Sequence, residues 1–453
     1  MFENVLGQSA VLQLIEDINS DSLAPAILFS GPSESGKGTA ALELGRVISC
    51  EGNHASSGNR APWGCQCPAC SRHRLLIHPD LLCLGWRQFS AEIAATAGTL
   101  TREKTFPAYL LFVRSVRKLL ARFNPVLWED EPKGAKIFPL VSSLEEDLEE
   151  LGFLASGAEN ADANHQAETS KLTEGIIKNA FKLESEGPGE TIPIGQLRRV
   201  AWWSRLAPIG REKLIIIESS DRMQDESRNS LLKLLEEPPG HSRYVLCTDR
   251  QGALSETVLS RLRVYRFVSR DAAAENEVIR RVFHDEPVAH NDGATGLIGA
   301  YLDSFLPVSA GTLEALAAFF AASVAYKAAL LSKKQGCPLS DEVLILGKSS
   351  VPKAEAAGLG RPKEDAGAVV AVILEKAGKF ELRPLFSRFL SCLLEQASAS
   401  GQMTPEFFEM WKKCSDWAQT ASGIYNLRPV QVLEKLFIDL SRGMASLSKG
   451  SAL

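Results

Sequence analysis

The segment Ala26–Thr39, AILFSGPSESGKGT, restricts the possible folds of this chain more than any other. It joins a short apolar run, a glycine-bounded loop of pattern G-x4-G-K, and helical spacing from Lys37 to Ser49. An apolar run without alternation reads as a strand buried on both faces. Glycines let backbone N–H groups converge on phosphate oxygens, and the helix that follows points its positive end at them. Lys37 is placed to reach the outer phosphates. Gly31, Gly36, Lys37, Gly38 and Thr39 are therefore the candidate nucleotide-binding residues, with ATP and magnesium as the candidate ligands. Gly38 stands where Ser or Thr usually offers magnesium a hydroxyl, and Thr39 falls on a different side of the helix.

The rest of the first half supports a parallel sheet. Apolar runs at LLCLGW after Asp80, Lys213–Ile217, Tyr244–Thr248 and Val264–Phe267 read as strands. Ile194–Ser204 and Asp225–Glu237 read as helices, the second stopped by Pro238 and Pro239. Strands alternating with helices predict a parallel sheet covered on both faces. Residues 87–190 read as an insertion. Within it Tyr109–Phe123 is helical with a basic face, either solvated or touching DNA; Leu144–Leu154 is an acidic helix, and Ala155–Ser170 a flexible loop. Beyond Ser269 only helical patterns remain, at Ala273–His284, Thr312–Ser332, Ala366–Lys379, Leu382–Ser398, Pro405–Ala421 and Pro429–Ser441. The predicted organisation is a nucleotide-binding domain over 1–268, a helical lid over 269–306, and a helical domain over 307–447 with a flexible linker near 333–364.

Four of the nine cysteines, Cys50, Cys65, Cys67 and Cys70, crowd into one short stretch. The opening MFENVLGQ has no basic segment of the kind that starts an export signal, so a cytoplasmic location is expected and the cluster reads as a metal site before disulfides. Four thiolates suit a closed tetrahedral zinc site. Cys65-Gln66-Cys67 can chelate only if the backbone turns there, and Gly64 can help; His73 or Cys83 are alternative fourth ligands. A net charge of −5 argues against a chain that coats nucleic acid, so DNA contact is local or made by partners. No run of eighteen or more apolar residues occurs, and no membrane span is predicted.

The stretch Lys213–Phe267 resembles the clamp-loader subunits of bacterial DNA polymerase III. It has a hydrophobic strand, a helix ending in Asn229-x-Leu231-Leu232-Lys233-x-Leu235-Glu236-Glu237-Pro238-Pro239, and a Ser260-Arg261-Leu262 box. The opening Phe2-x4-Gly7-Gln8 is similar to the family's start, which helps frame the adenine pocket, and Ile424–Pro429 is similar to the last collar helix of delta-prime subunits. The resemblance implies an α/β P-loop AAA+ module followed by a helical lid and an all-α collar. It covers about residues 1–85 and 191–268 well, and about 400–445 weakly. It also implies a zinc module over 50–70, in which Cys65 stands one residue closer to Cys67 than the family pattern expects. In active members the strand ends in Asp-Glu, which coordinates magnesium and orients the attacking water; here Glu218 and Ser219 take those places. A serine cannot act usefully as that general base at neutral pH. The family's arginine of the Ser-Arg-Cys box, here Arg261, reaches a neighbouring subunit's ATP and stabilises charge on the transferred phosphoryl group.

The leading expectation is thus a delta-prime-like stator that turns over little or no ATP. It supplies an arginine finger in a hetero-pentamer with gamma/tau and delta subunits, which loads a sliding clamp on primed DNA. The rival is a divergent gamma/tau subunit with its own ATPase. A small nucleotide kinase shares the Gly-Lys-Gly-Thr ending, but nothing after residue 40 resembles one. The string LLKLLEEPP argues against a AAA+ remodeller of unrelated function.

Overall fold

The computed structural model describes residues 1–52, 61–129, 131–156, 163–187, 191–286, 297–378, 383–398, 404–423 and 427–447. The chain divides into two compact units, Met1–Phe305 and Leu306–Leu453. In order, the first contains α1 (Ala10–Asn19), β1 (Ala26–Ser30), α2 (Lys37–Ile48), α3 (Pro68–Arg74), β2 (Leu81–Leu84), α4 (Ser90–Glu103), α5 (Phe106–Leu120), α6 (Pro125–Trp128), α7 (Gly134–Ser156), α8 (Ala163–Glu186) and α9 (Ile194–Arg205). It continues with β3 (Lys213–Ile217), α10 (Asp225–Glu236), β4 (Ser242–Thr248), α11 (Glu256–Leu259), β5 (Arg263–Arg266), α12 (Ala272–Phe283) and α13 (Leu297–Asp303).

The five strands form one parallel sheet in the order β2-β3-β4-β1-β5. Leu28 of β1 lies opposite Leu246 and Val264, and Ile215 of β3 opposite Leu82 and Tyr244. Every residue of β1, β2 and β3 is buried, which explains their unbroken apolar runs. Alternate residues serve opposite faces. Ile27, Phe29, Leu214, Ile216 and Val245 pack with α1 and α2, whereas Leu28, Leu82, Leu84, Ile215 and Ile217 pack with the helices of the other layer. Edge strand β5 leaves Arg263 and Arg266 exposed, a charged rim that discourages further strand pairing.

Residues 87–190 supply much of that second layer. Phe112 and Val116 of α5, Leu148 of α7 and Leu183 of α8 share one core with Leu82 and Ile215. The flexible loop read over Ala155–Ser170 is corrected in part: α8 already begins at Ala163, while 157–162 lie outside the described residues. The basic face of α5 is neither solvated nor free to meet DNA. Arg117 donates to the Leu75 carbonyl at 3.0 Å, Arg114 donates to the carbonyls of His73 and Arg74, and Lys118 pairs with Glu92. The lid helices α12 and α13 rest on α4, with Ile279, Phe283, Ile298 and Tyr301 around Ala95. Thr99 donates to the Phe283 carbonyl at 3.0 Å and Arg102 pairs with Asp285 at 2.9 Å.

The second unit is helical throughout its described residues: α14 (Ala310–Lys334), α15 (Asp341–Ala356), α16 (Ala366–Lys376), α17 (Arg383–Ser398), α18 (Pro405–Gly423) and α19 (Pro429–Leu447). The linker expected near 333–364 is instead largely α15. Ser340 caps it by accepting from the Val343 N–H, Asp341 and Glu342 occupy its first turn, and Val343, Leu346, Ser350 and Ala354 form its buried stripe. Gly347 and Pro352 made that segment look unstructured, but tertiary packing overrides such local costs. By length and composition Gly311–Lys334 could cross a bilayer, with mean hydropathy 1.6, yet 67% of its most apolar window is buried in the protein. It serves as the core helix of this unit, where Phe320 meets Phe389 and Phe437 edge-on at 5.9 and 5.8 Å. The collar-like residues Ile424–Asn426 lie outside the described residues.

Candidate nucleotide and metal sites

The glycine loop joins β1 to α2 at the end of the sheet where nucleotides are held in such folds. Gly36 takes a left-handed φ of 93° as the residue preceding α2, a conformation that glycine adopts without steric cost. The Lys37 ammonium is turned into its own loop. It donates to the carbonyls of Gly31 at 2.7 Å and Pro32 at 2.5 Å, and pairs with Asp249 at 2.8 Å. Asp249 follows β4 and also accepts from Ser33 at 2.7 Å. Arg270 donates to the carbonyls of Leu6 and Glu34, and Gln8 pairs through both side-chain ends with the backbone of Val268 at 2.9 Å. The opening segment is thereby fastened to the entry of the lid. Gly38 and Thr39 form the half-buried first turn of α2.

Glu218 directly follows β3 and is 8% exposed. Its carboxylate faces Gly38, pairs with Arg122, and lies 3.7 Å from Arg87 Nε. Burial alone would raise its pKa; Arg122 and then Arg87 override that and hold it below the usual carboxylate value. Phe89 anchors both arginines, its ring 5.1 Å from the Arg87 guanidinium and 5.5 Å from that of Arg122. Glu92 pairs with Arg87 at 2.6 Å and with Lys118. Against the upward push of burial, these cations draw its pKa down to about 2. Ser219 has a left-handed φ of 49° and donates to the Trp86 carbonyl at 2.6 Å, away from any role as a base. Asp221 accepts from Thr248 at 2.7 Å and pairs with Arg250 at 3.0 Å.

Arg261 sits just beyond α11 on the surface of its own unit. It pairs with Glu236 at 2.8 Å and donates to the Thr257 carbonyl at 2.7 Å. Both partners of the ion pair are solvent-accessible, so the pair contributes little stability and opens readily.

The Sγ atoms of Cys50, Cys65, Cys67 and Cys70 lie within 4.8 Å of one another. A tetrahedral zinc with bonds of about 2.3 Å needs sulfurs roughly 3.8 Å apart, and Cys50 and Cys65 stand at 3.7 Å. The cluster can hold a metal such as zinc. Cys65 is brought in by a turn over Pro62–Cys65, closed by a 3.1 Å backbone bond, which answers the question raised by its short spacing. His73 and Cys83 are not in the cluster: His73 stacks on His78 with centroids 4.1 Å apart, and Cys83 is a buried residue of β2. Burial, then hydrogen bonds among the cysteines, raises the Cys70 thiol; at Cys67, backbone N–H groups of Cys70 and Glu51 outweigh burial and bring the pKa down to about 7. Arg46 of α2 donates to Cys70 Sγ at 3.4 Å, to the Ala61 and Pro62 carbonyls, and to Glu43, tying the cysteine cluster to α2.

Sequence reasoning missed Arg46, Arg87, Arg122, Asp249 and Arg270. Their roles come from contacts across the fold, and no local spacing announces them. For Arg122 and Arg87 the available signal was an unexplained insertion between β2 and α9.

A parallel sheet of this order, with a glycine loop between the interior strand β1 and a helix and a helical lid after it, defines a AAA+ module of the P-loop class. Residues 151–271 match the family described as "DNA polymerase III, delta subunit". Among known proteins, the chain is 31% identical over 97 residues to "DNA polymerase III subunit tau" of Salmonella typhimurium, covering 21% of this chain and 15% of that one. It is 32% identical over 117 residues to "DNA polymerase III subunit delta'" of Pseudomonas aeruginosa, covering 26% and 36% respectively. It is 26% identical over 102 residues to "Replication factor C small subunit 1" of Pyrobaculum arsenaticum, covering 22% and 31%. The chain therefore spans well under two thirds of the length of these relatives. Over these parts of its length the chain is similar to clamp-loader subunits of DNA polymerase III type.

Proposed function

We propose that this chain is a delta-prime-like subunit of a clamp loader, which serves a neighbour's ATPase site and hydrolyses no ATP of its own. The observation that carries the reading is a contrast between two charged groups. Glu218, the acid expected to hold magnesium, is buried against Arg122, whereas Arg261 lies at the surface in an ion pair that opens readily. Ser219 occupies the place of the catalytic acid and is engaged with a backbone carbonyl. Lys37 is saturated by its own loop and by Asp249, so a nucleotide must displace that carboxylate to bind.

On this reading Arg261 swings from Glu236 to a gamma/tau-type neighbour and stabilises the charge on its transferred phosphoryl group. Cys50, Cys65, Cys67 and Cys70 hold a structural zinc. The helical second unit joins the collar of a hetero-pentamer with gamma/tau and delta subunits, and the assembly opens the sliding clamp and places it on primed DNA. The test is the ATP turnover of a gamma/tau-type partner, measured with this chain and with its Arg261→Ala variant. The substitution is expected to lower the stimulated rate by about 10³-fold or more, and an unchanged rate sinks the finger assignment.

A second reading, a gamma/tau-like subunit with its own ATPase, rests on Asp249, the carboxylate beside Lys37. It requires Asp249 to leave Lys37 and take up the attacking water's proton, and it is weakened by the absence of any hydroxyl at Gly38.

A further inference from the structure

The charge cluster at the end of β3 contradicts an expectation that the phosphate loop raises. In P-loop ATPases magnesium is held by the hydroxyl after the loop lysine and by the acid that ends a neighbouring strand. The residues present here do not fit that ion. Position 38 has no side chain, and a Cβ built there would stand 2.8 Å from Glu218 Oε1 and 3.6 Å from Arg87 Nη1. Magnesium also demands octahedral geometry with ligands at about 2.0–2.1 Å and keeps several of its waters. The cavity bordered by Gly38, Arg87, Lys118, Arg122 and Glu218 has a volume of about 10 Å³, room for roughly one water.

The cations come from one part of the chain. Arg87, Lys118 and Arg122 all belong to the stretch 87–190. Arg122 is 5% exposed, its backbone carbonyl accepts from Trp128 Nε1 at 2.8 Å, and its guanidinium lies over Phe89. Its Nε and Nη1 are buried without hydrogen-bond partners, so its pairing with Glu218 is its principal polar anchor.

We infer that Arg122, with Arg87 beside it, takes the place of the magnesium ion, so that no divalent cation enters the Glu218 site. The segment 87–190 thus provides a built-in cation. A buried carboxylate that is already neutralised and desolvated gains little by exchanging a guanidinium for an ion that must first shed water. This inference deepens the reading of a non-hydrolysing module, and it rests on the β1–α2 loop being a phosphate site, not on any partner.

The test is Mn²⁺ binding to the purified full chain, followed by the electron paramagnetic resonance signal of free Mn²⁺, with the cysteine cluster loaded with zinc and with or without ATP. Wild type is expected to deplete none of the signal at this site. Arg122→Met should bind one equivalent, and Arg122→Met with Glu218→Gln should lose it again. One equivalent bound by wild type and lost in Glu218→Gln overturns the inference, and this arm decides the matter even if Arg122→Met fails to fold. A folded Arg122→Met chain that binds no Mn²⁺ also overturns it, because exclusion would then have another cause. A wild-type chain that binds Mn²⁺ at Glu218 but turns over no ATP would sink this inference and leave the proposed function standing.

Discussion

Glu92 shows at the scale of one residue how the segment 87–190 is wired to the nucleotide end of the sheet. Its carboxylate is drawn down to about 2 from 4.5 by Lys118 and Arg87, although burial pushes the other way. A group whose folded pKa is depressed stabilises the fold above its unfolded value, and that stability is lost as pH falls toward the folded value. In urea unfolding, wild type should lose stability between pH 4.5 and about 2. Glu92→Gln should be less stable than wild type at neutral pH and converge with it toward pH 2, since a protonated Glu92 is nearly a glutamine. Parallel curves would show that Glu92 carries no such coupling. None of this was legible in the sequence, where Arg87, Lys118 and Arg122 were three of many basic residues. Charge pairing over 26 residues between Lys118 and Glu92, and over 96 between Arg122 and Glu218, leaves no local pattern.

At the scale of elements, the strands and the helices flanking them were legible, because β1 and β3 are buried on both faces and α10 ends at two prolines. The cysteine cluster was legible in its residue types but not in its geometry. Cys65 completes the cluster only because the chain turns over Pro62–Cys65, and Arg46 of α2 braces Cys70 from outside the motif. Metal removal should therefore act locally. Treating the chain with a chelator is expected to raise amide exchange by tenfold or more in α3 and the C-terminal turn of α2, and to leave β3 and β4 protected, because each of those strands is paired on both sides within the sheet. Uniform exchange with and without chelator would mean the four thiols hold no structural ion. Two elements defied the sequence for physical reasons. The segment holding α15 looked like a linker from its Gly, Pro and Ser content, yet it has a cap and a buried stripe. The basic face of α5 looked solvated, yet backbone carbonyls at the end of α3 and the Glu92 carboxylate of α4 hold it.

At the scale of the whole molecule, the chain couples a P-loop module to a helical unit built around α14. The likeness to clamp loaders was readable from one contiguous signature, Asn229 to Pro239, and from the box that contains Arg261. What that signature could not reveal is how the candidate nucleotide site is closed. Lys37 is held by its loop and Asp249, Ser219 by the Trp86 carbonyl, and Glu218 by Arg122, so each part of a hydrolytic site has another partner. The central claim is that this module has the frame of an ATPase and not the chemistry. It is tested most directly by single-turnover hydrolysis, with the purified chain in excess over radiolabelled ATP and magnesium. The expected result is no phosphate release above buffer, unchanged by Lys37→Ala. Release by the wild-type chain that Lys37→Ala abolishes would contradict the account.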